Sequence, residues 1–126
     1  MNIPIREHLK DRHVEASAPC RIDMGGTLDL STFYLPLRRY RPRTFNIALD
    51  MRTTETVKAC RKGITRIKSR GFEPTTFSLS QAPFDHPLGL MFALANYFGA
   101  DGVEISIVSA SPPRSALGGS SSAAVA

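Results

Sequence analysis

The stretch VEISIVSASPPRSALGGSSSAAVA, Val103–Ala126, decides how the rest of the chain is read. Val103, Ile105 and Ile107 alternate with Glu104, Ser106 and Val108, the period of a strand with one buried face. Pro112-Pro113 then stiffens the chain, Gly118-Gly119 frees it, and three serines lead into Ala-Ala-Val. A flexible linker is the plain alternative, since Gly/Ser segments lose much entropy on ordering. Context argues against it: a strand leads in, Leu117 is a core-type residue, and serine followed by alanine opens helices. Strand, glycine loop and serine-capped helix is an arrangement that binds phosphate through backbone N–H groups. A serine hydroxyl there can join the coordination of Mg²⁺.

Three familiar phosphate and nucleophile motifs are excluded. The Walker pattern needs Gly-Lys-Ser/Thr, and Ser120 follows Gly119 with no lysine. A dinucleotide fingerprint needs G-x-G-x-x-G, and a hydrolase elbow needs a glycine after its serine.

Upstream, Ala18, Cys20, Ile22 and Met24 alternate with Arg21 and Asp23, predicting a strand that runs into Gly25-Gly26. Residues 1–15 read as a polar lead-in with at most one helical turn. Phe45, Ile47, Leu49 and Met51 predict a second strand, and Thr53–Ala59 keeps strand character. Arg61-Lys62-Gly63 reads as a hairpin turn into Ile64–Ser69, which makes these two strands an antiparallel pair. Gly71–Pro83 is turn-rich. Asp85-His86-Pro87 predicts a helix start, capped by Asp85. Leu88, Met91, Phe92, Ala95 and Phe98 follow at core-facing helical spacing, and Gly99 stops the helix.

The chain of 126 residues has 42% hydrophobic and 21% charged residues, within reach of one globular domain. It carries no apolar run of membrane-spanning length and no secretory leader, so a cytoplasmic setting is expected, with Cys20 and Cys60 as reduced thiols. The net charge of +5 is concentrated in Arg38, Arg39, Arg41 and Arg43, and in Lys58, Arg61, Lys62, Arg66, Lys68 and Arg70. Such clusters suit an anionic partner or simply a solvated surface. Tyr34 and Tyr40 lie among the first arginines and read as a packed surface loop. His8, His13 and His86 carry no chemistry in this reading.

Pro113-Arg114-Ser115-Ala116-Leu117-Gly118-Gly119-Ser120-Ser121-Ser122-Ala123 resembles the nucleotide loop of the GHMP kinases, roughly P-x-x-x-G-L-[GS]-S-S-[SA]-A. This family is named for galactokinase, homoserine kinase, mevalonate kinase and phosphomevalonate kinase. Ala116 stands where glycine is usual, and Gly119 where the first of two serines often sits. Ala18-Pro19-Cys20-Arg21-Ile22-Asp23-Met24-Gly25-Gly26-Thr27-Leu28-Asp29 resembles the family's first motif, its double glycine closest to the heptose- and fucose-type sugar kinases. Asn46–Arg52 is similar to the strand that follows that motif.

The resemblance implies an α+β fold: the N-terminal lobe of a GHMP kinase, like domain 2 of ribosomal protein S5, with a left-handed β-α-β crossover. It implies ATP and Mg²⁺ as cofactors. Pro113, Arg114, Ser115, Ala116, Leu117, Gly118, Gly119, Ser120, Ser121 and Ser122 would bind nucleotide, and Ser120 would ligate the metal. Arg21 would act beside the transferred phosphate. Arg21, Asp23, Gly25, Gly26 and Asp29 would line the site of a sugar or sugar phosphate, with Asp23 equally suited to orienting Arg21. The family's base aspartate and third glycine motif lie further downstream. Residues 1–126 therefore read as the truncated N-terminal domain of a longer kinase, with little or no activity expected of the piece alone. ATP and a heptose- or hexose-class acceptor are the expected partners, rather than a membrane or nucleic acid. The alternatives are a mevalonate- or homoserine-type acceptor, a catalytically silent ligand sensor, and a basic nucleic-acid-binding module.

Overall fold

The computed structural model describes residues 4–24, 34–112 and 115–126. After a single helical turn, α1 (Ile5–His8), come β1 (His13–Met24), β2 (Phe45–Ala59), β3 (Thr65–Ser69) and β4 (Thr75–Phe77). Helix α2 (Gly89–Tyr97), strand β5 (Val103–Ser109) and helix α3 (Gly119–Val125) complete the order. The five strands form one mixed sheet in the order β1-β2-β5-β3-β4. The fold is α+β, as the sequence implied, with β1 beginning at His13 and so taking in the last residues of the polar lead-in.

The predicted antiparallel pairing of β2 with β3 does not occur. The chain does turn at Lys62-Gly63, with Gly63 at φ +86°. Beyond the turn β3 is separated from β2 by β5, which runs antiparallel to β2 and parallel to β3. The reason is burial. Val103 and Ile107 belong on a central strand, and inserting β5 pairs both of its edges and covers its inward face.

The inward face of the sheet carries Val57, Ile67, Val103 and Ile107, and α2 and α3 pack over it. Phe92 of α2 is fully buried, its ring 4.7 Å from that of Phe77 and 5.1 Å from the imidazole of His86. Helix α2 begins later than predicted, at Gly89. Asp85 supplies no cap; instead His86 Nδ1 accepts the Leu88 N–H at 3.1 Å, and the side chain of residue 89 must be absent because a Cβ there would strike the Phe84 carbonyl. Gly99 stops the helix at φ +61°, as predicted, because the left-handed region suits glycine. Phe98, predicted as core, is 65% exposed: the helix ends at Tyr97, so Phe98 leaves the buried stripe.

Ala18 and Cys20 face inward as predicted, but Ile22 and Met24 are exposed. They lie past an irregularity in the β1–β2 ladder, where the register steps from Pro19↔Arg52 to Arg21↔Ala48. One residue of β1, Cys20, there opposes three of β2, residues 49–51, and the two strands run on together as a ribbon.

Candidate phosphate-loop site

The ladder irregularity builds the site. Because pairing opens between Pro19 and Arg21, the Arg21 N–H turns away from β2 and donates to the Leu117 carbonyl at 3.0 Å. The Pro19 carbonyl accepts the Ser122 hydroxyl at 2.9 Å, and that hydroxyl also reaches the Gly118 carbonyl at 3.1 Å. The strand of the first motif and the glycine-serine loop, about 100 residues apart in sequence, are thus joined by two hydrogen bonds.

Within the loop, Ala116 has φ +57° and Gly118 φ +73°. Gly118 relieves its left-handed turn by having no side chain. Ala116 bears that strain where the kinase pattern has glycine, at about 1 kcal/mol. A Cβ on Gly118 would lie 3.4 Å from Arg21 Cγ, so the guanidinium stem packs directly on the loop backbone. Arg21 Nη1 donates to Asp23 Oδ2 at 2.5 Å, with the Arg21 side chain 35% exposed and that of Asp23 9%. Asp23 therefore holds the guanidinium in place, the orienting role open to it in the sequence.

Ser120 and Ser121 are exposed at the start of α3, and no side chain caps the helix, whose N-cap is Gly118. Ser122 is buried and spent on the two carbonyls. Beneath the loop runs a chain of hydroxyls that sequence reasoning missed. Thr53 Oγ1 lies 2.8 Å from Ser109 Oγ, which lies 3.0 Å from Ser111 Oγ, while Cys20 Sγ closes on Thr53 at 3.9 Å. The available signal was small polar residues at inward strand positions next to the loop. Ser111 Oγ stands 3.4 Å from where a Cβ on Gly119 would fall, an ordinary contact distance that places the hydroxyl chain directly against the loop.

Above these groups opens a cleft of about 1330 Å³. It is lined by Thr53, Ser111 and Ser120, by Arg70 just past β3, and by Leu88 just before α2. Arg21 packs on Gly118 from the β1 side and is not among the lining residues. Among the described residues no three His, Cys, Asp or Glu side chains converge as a metal site. Gly25, Gly26, Asp29, Pro113 and Arg114 lie outside the described residues.

A second feature lies across the inward face. Glu55 of β2, opposite Ala16 and Ile107, lines an apolar groove with Val57, Leu94 and Phe98. Its Oε1 is buried with no hydrogen-bond partner among the described residues, and burial pushes its carboxyl up to about 7.

The mixed five-stranded sheet with helices on one face matches the fold of the N-terminal lobe of solved GHMP kinases. Several solved kinase structures match. Methanococcus jannaschii mevalonate kinase matches at TM-score 0.66 and 16% identity over 92% of this chain and 38% of its own. The D-glycero-D-manno-heptose 1-phosphate kinase of Bacteriodes thetaiotaomicron matches at 0.65 and 19% identity, over 85% and 37%. Lactococcus lactis galactokinase, solved with galactose, matches at 0.65 and 16%, over 91% and 31%. The chain thus spans less than two-fifths of each of these structures. No protein-family profile and no curated protein matches the sequence. No helix among the described residues is long and apolar enough to cross a membrane.

Proposed function

We propose that this chain is the nucleotide-binding portion of an ATP- and Mg²⁺-dependent cytoplasmic kinase that phosphorylates a hydroxyl of a sugar or sugar phosphate. One observation carries the reading: Arg21 is bonded to Leu117 and packed on Gly118, so both motifs that resemble the GHMP kinases meet at one place. Phosphoryl transfer depends mainly on positioning and charge neutralisation. The loop backbone, left-handed at Ala116 and Gly118, offers close approach to phosphate. Ser120 offers an exposed hydroxyl to Mg²⁺, whose other ligands would be phosphate oxygens and water. Bound Mg²⁺ would neutralise the charge that develops on the phosphates. Arg21, steadied by Asp23, brings positive charge to the β1 side of the loop. Ser122 holds the loop to β1 rather than reaching for nucleotide.

Acceptor chemistry of the heptose or hexose class follows from the double glycine of the first motif. A mevalonate-type acceptor is the second reading, favoured by the equally good structural match to a mevalonate kinase. The test is binding of a fluorescent ATP analogue with and without Mg²⁺. Ser120→Ala is expected to remove the Mg²⁺-dependent gain, Gly118→Val to abolish binding, and Arg39→Ala to change neither. Binding that survives both loop substitutions would overturn the proposal. Acceptor class is read from a panel of heptoses, hexoses, their phosphates and mevalonate. That assay uses a protein in which this segment is joined to the remaining length that the matched kinases have; the 126 residues alone are expected to give no turnover.

A further inference from the structure

Among the described residues the sheet face away from the helices is open, and its cations are not spread evenly. The register places Lys58 of β2, Glu104 of β5 and Arg66 of β3 in one row across three adjacent strands, with Lys68 one step further along β3. All three cations reach the same carboxylate: Lys58 Nζ at 3.1 Å, Lys68 Nζ at 2.9 Å and Arg66 Nη1 at 3.5 Å. Glu104 is buried beneath them, 5% exposed, while the three cationic side chains are 40–56% exposed. Burial alone would raise the Glu104 carboxyl, but hydrogen bonds from Lys68 and Lys58 outweigh it and hold the group below the usual carboxylate range. One anion cannot balance three cations. Two positive charges are left facing solvent, gathered at strand spacing, and exposed Arg61 and Lys62 add to them from the neighbouring turn.

Short hydroxyl side chains dominate the rest of this face, and Arg52 of β2, further along it, is committed to Ser17 of β1. Thr54 and Thr56 of β2, Ser106 of β5 and Thr76 of β4 share it, and Arg66 Nε donates to Thr76 Oγ1 at 3.3 Å. Its strands place no Phe, Tyr or Trp there, and Val108 is the exposed large aliphatic side chain on it. Glu15, on edge strand β1, adds a carboxylate opposite Thr56. Protein interfaces are anchored by buried aromatic and aliphatic groups, which this face lacks. Single-stranded nucleic acid is gripped by stacking on aromatic rings, which it also lacks. Lysine, arginine and short hydroxyl side chains are the groups that hold phosphate and sugar without reading bases.

We infer that the open face of the sheet is a docking surface for the phosphate backbone of a nucleic-acid duplex, held by Lys58, Arg66 and Lys68, which Glu104 gathers into one cluster. This surface is distinct from the loop site, and its test does not depend on kinase activity. The measurement is fluorescence anisotropy of a labelled 20-base-pair RNA duplex at 50 and 200 mM salt. Neutralising two to three phosphates predicts affinity falling roughly 10- to 40-fold over that range. The fourfold variant Lys58→Gln, Arg66→Gln, Lys68→Gln, Glu104→Gln removes the carboxylate together with its cations, so no buried charge is left unpaired. It is expected to fold, by circular dichroism and melting, and to lose most of the binding and of the salt dependence. Glu104→Gln alone uncovers the third positive charge and is expected to bind several-fold tighter. Arg38→Gln, Arg39→Gln, Arg41→Gln removes as many cations from the other cluster and is expected to bind like the parent. Parental binding by the fourfold variant, weaker binding by Glu104→Gln, or loss in the Arg38/Arg39/Arg41 variant would overturn the inference. So would tighter binding of a single-stranded oligonucleotide, or equal competition by polyglutamate, which would point to an acidic protein surface.

Discussion

Glu55 makes the stability of this chain depend on pH in a direction opposite to that of most carboxylates. Its pKa is raised from 4.5 to about 7 by burial, so the folded state favours the protonated form. A raised folded pKa means the stabilisation is complete below the unfolded value and is lost as pH rises through the folded one. Stability attributable to Glu55 therefore declines between about pH 4.5 and pH 7 and stays low above it. A shift of that size has a ceiling of about 3 kcal/mol at 1.36 kcal/mol per pKa unit. Water reaches the half-buried side chain, and roughly 1–2 kcal/mol is the expected effect after that screening. Arg6 of α1 is committed to the Cys60 carbonyl and to Glu7, and burial is the one influence that sets the Glu55 carboxyl. Glu55→Gln keeps the shape and removes the titration. Urea denaturation at pH 5 and pH 8, compared between parent and variant, isolates the effect from the histidines, which are common to both. The parent should lose about 1–2 kcal/mol more than Glu55→Gln across that interval, with unchanged m-values. Equal pH dependence of the two proteins, or a parent that gains stability relative to the variant toward pH 8, would refute the argument.

Two further outcomes follow from the loop. Ala116→Gly removes a left-handed alanine, and a gain of about 0.5–1 kcal/mol, or a few degrees in melting temperature, is expected; a loss of stability would show that Ala116 is unstrained. Ser122→Ala deletes the bond to Pro19 and should lower stability by about 1–2 kcal/mol, with faster amide exchange at Arg21 and Ser122; unchanged exchange would mean that the loop is held to β1 by other contacts.

The parts of this structure that could be read in the sequence are those fixed by local chemistry. Alternation of Val103, Ile105 and Ile107 marked β5, and glycine with serine after it marked the loop and α3. Pairing was less legible. Lys62-Gly63 turns the chain in the same way whether the next strand folds back on β2 or leaves room for another, and only the arrival of β5 decides between them. The start of α2 was misplaced for a similar reason. Asp85 and Pro87 are sound local signals, but the contact between Gly89 and the Phe84 carbonyl sets the boundary, and no pattern in the sequence announces it. At the candidate site the sequence pointed to Arg21 and Gly118 separately. Their contact depends on a ladder irregularity at Pro19, which is a property of two paired strands rather than of either one.

The position of β5 also governs when the sheet can form. β1 with β2 and β3 with β4 are hairpin-like pairs that can assemble from nearby residues, yet each keeps one edge unpaired until residues 103–109 are available. Joining them requires contacts between Thr53 and Ser109 and between Thr65 and Val103, separations that slow folding through the entropy of closing long loops. During synthesis, the two halves wait with bare backbone edges facing each other's future place. An edge of that kind invites pairing with another chain. The strand that completes the sheet is therefore also the one that closes its window for aggregation, and weakening β5 should lower the yield of soluble protein before it lowers the stability of what has folded.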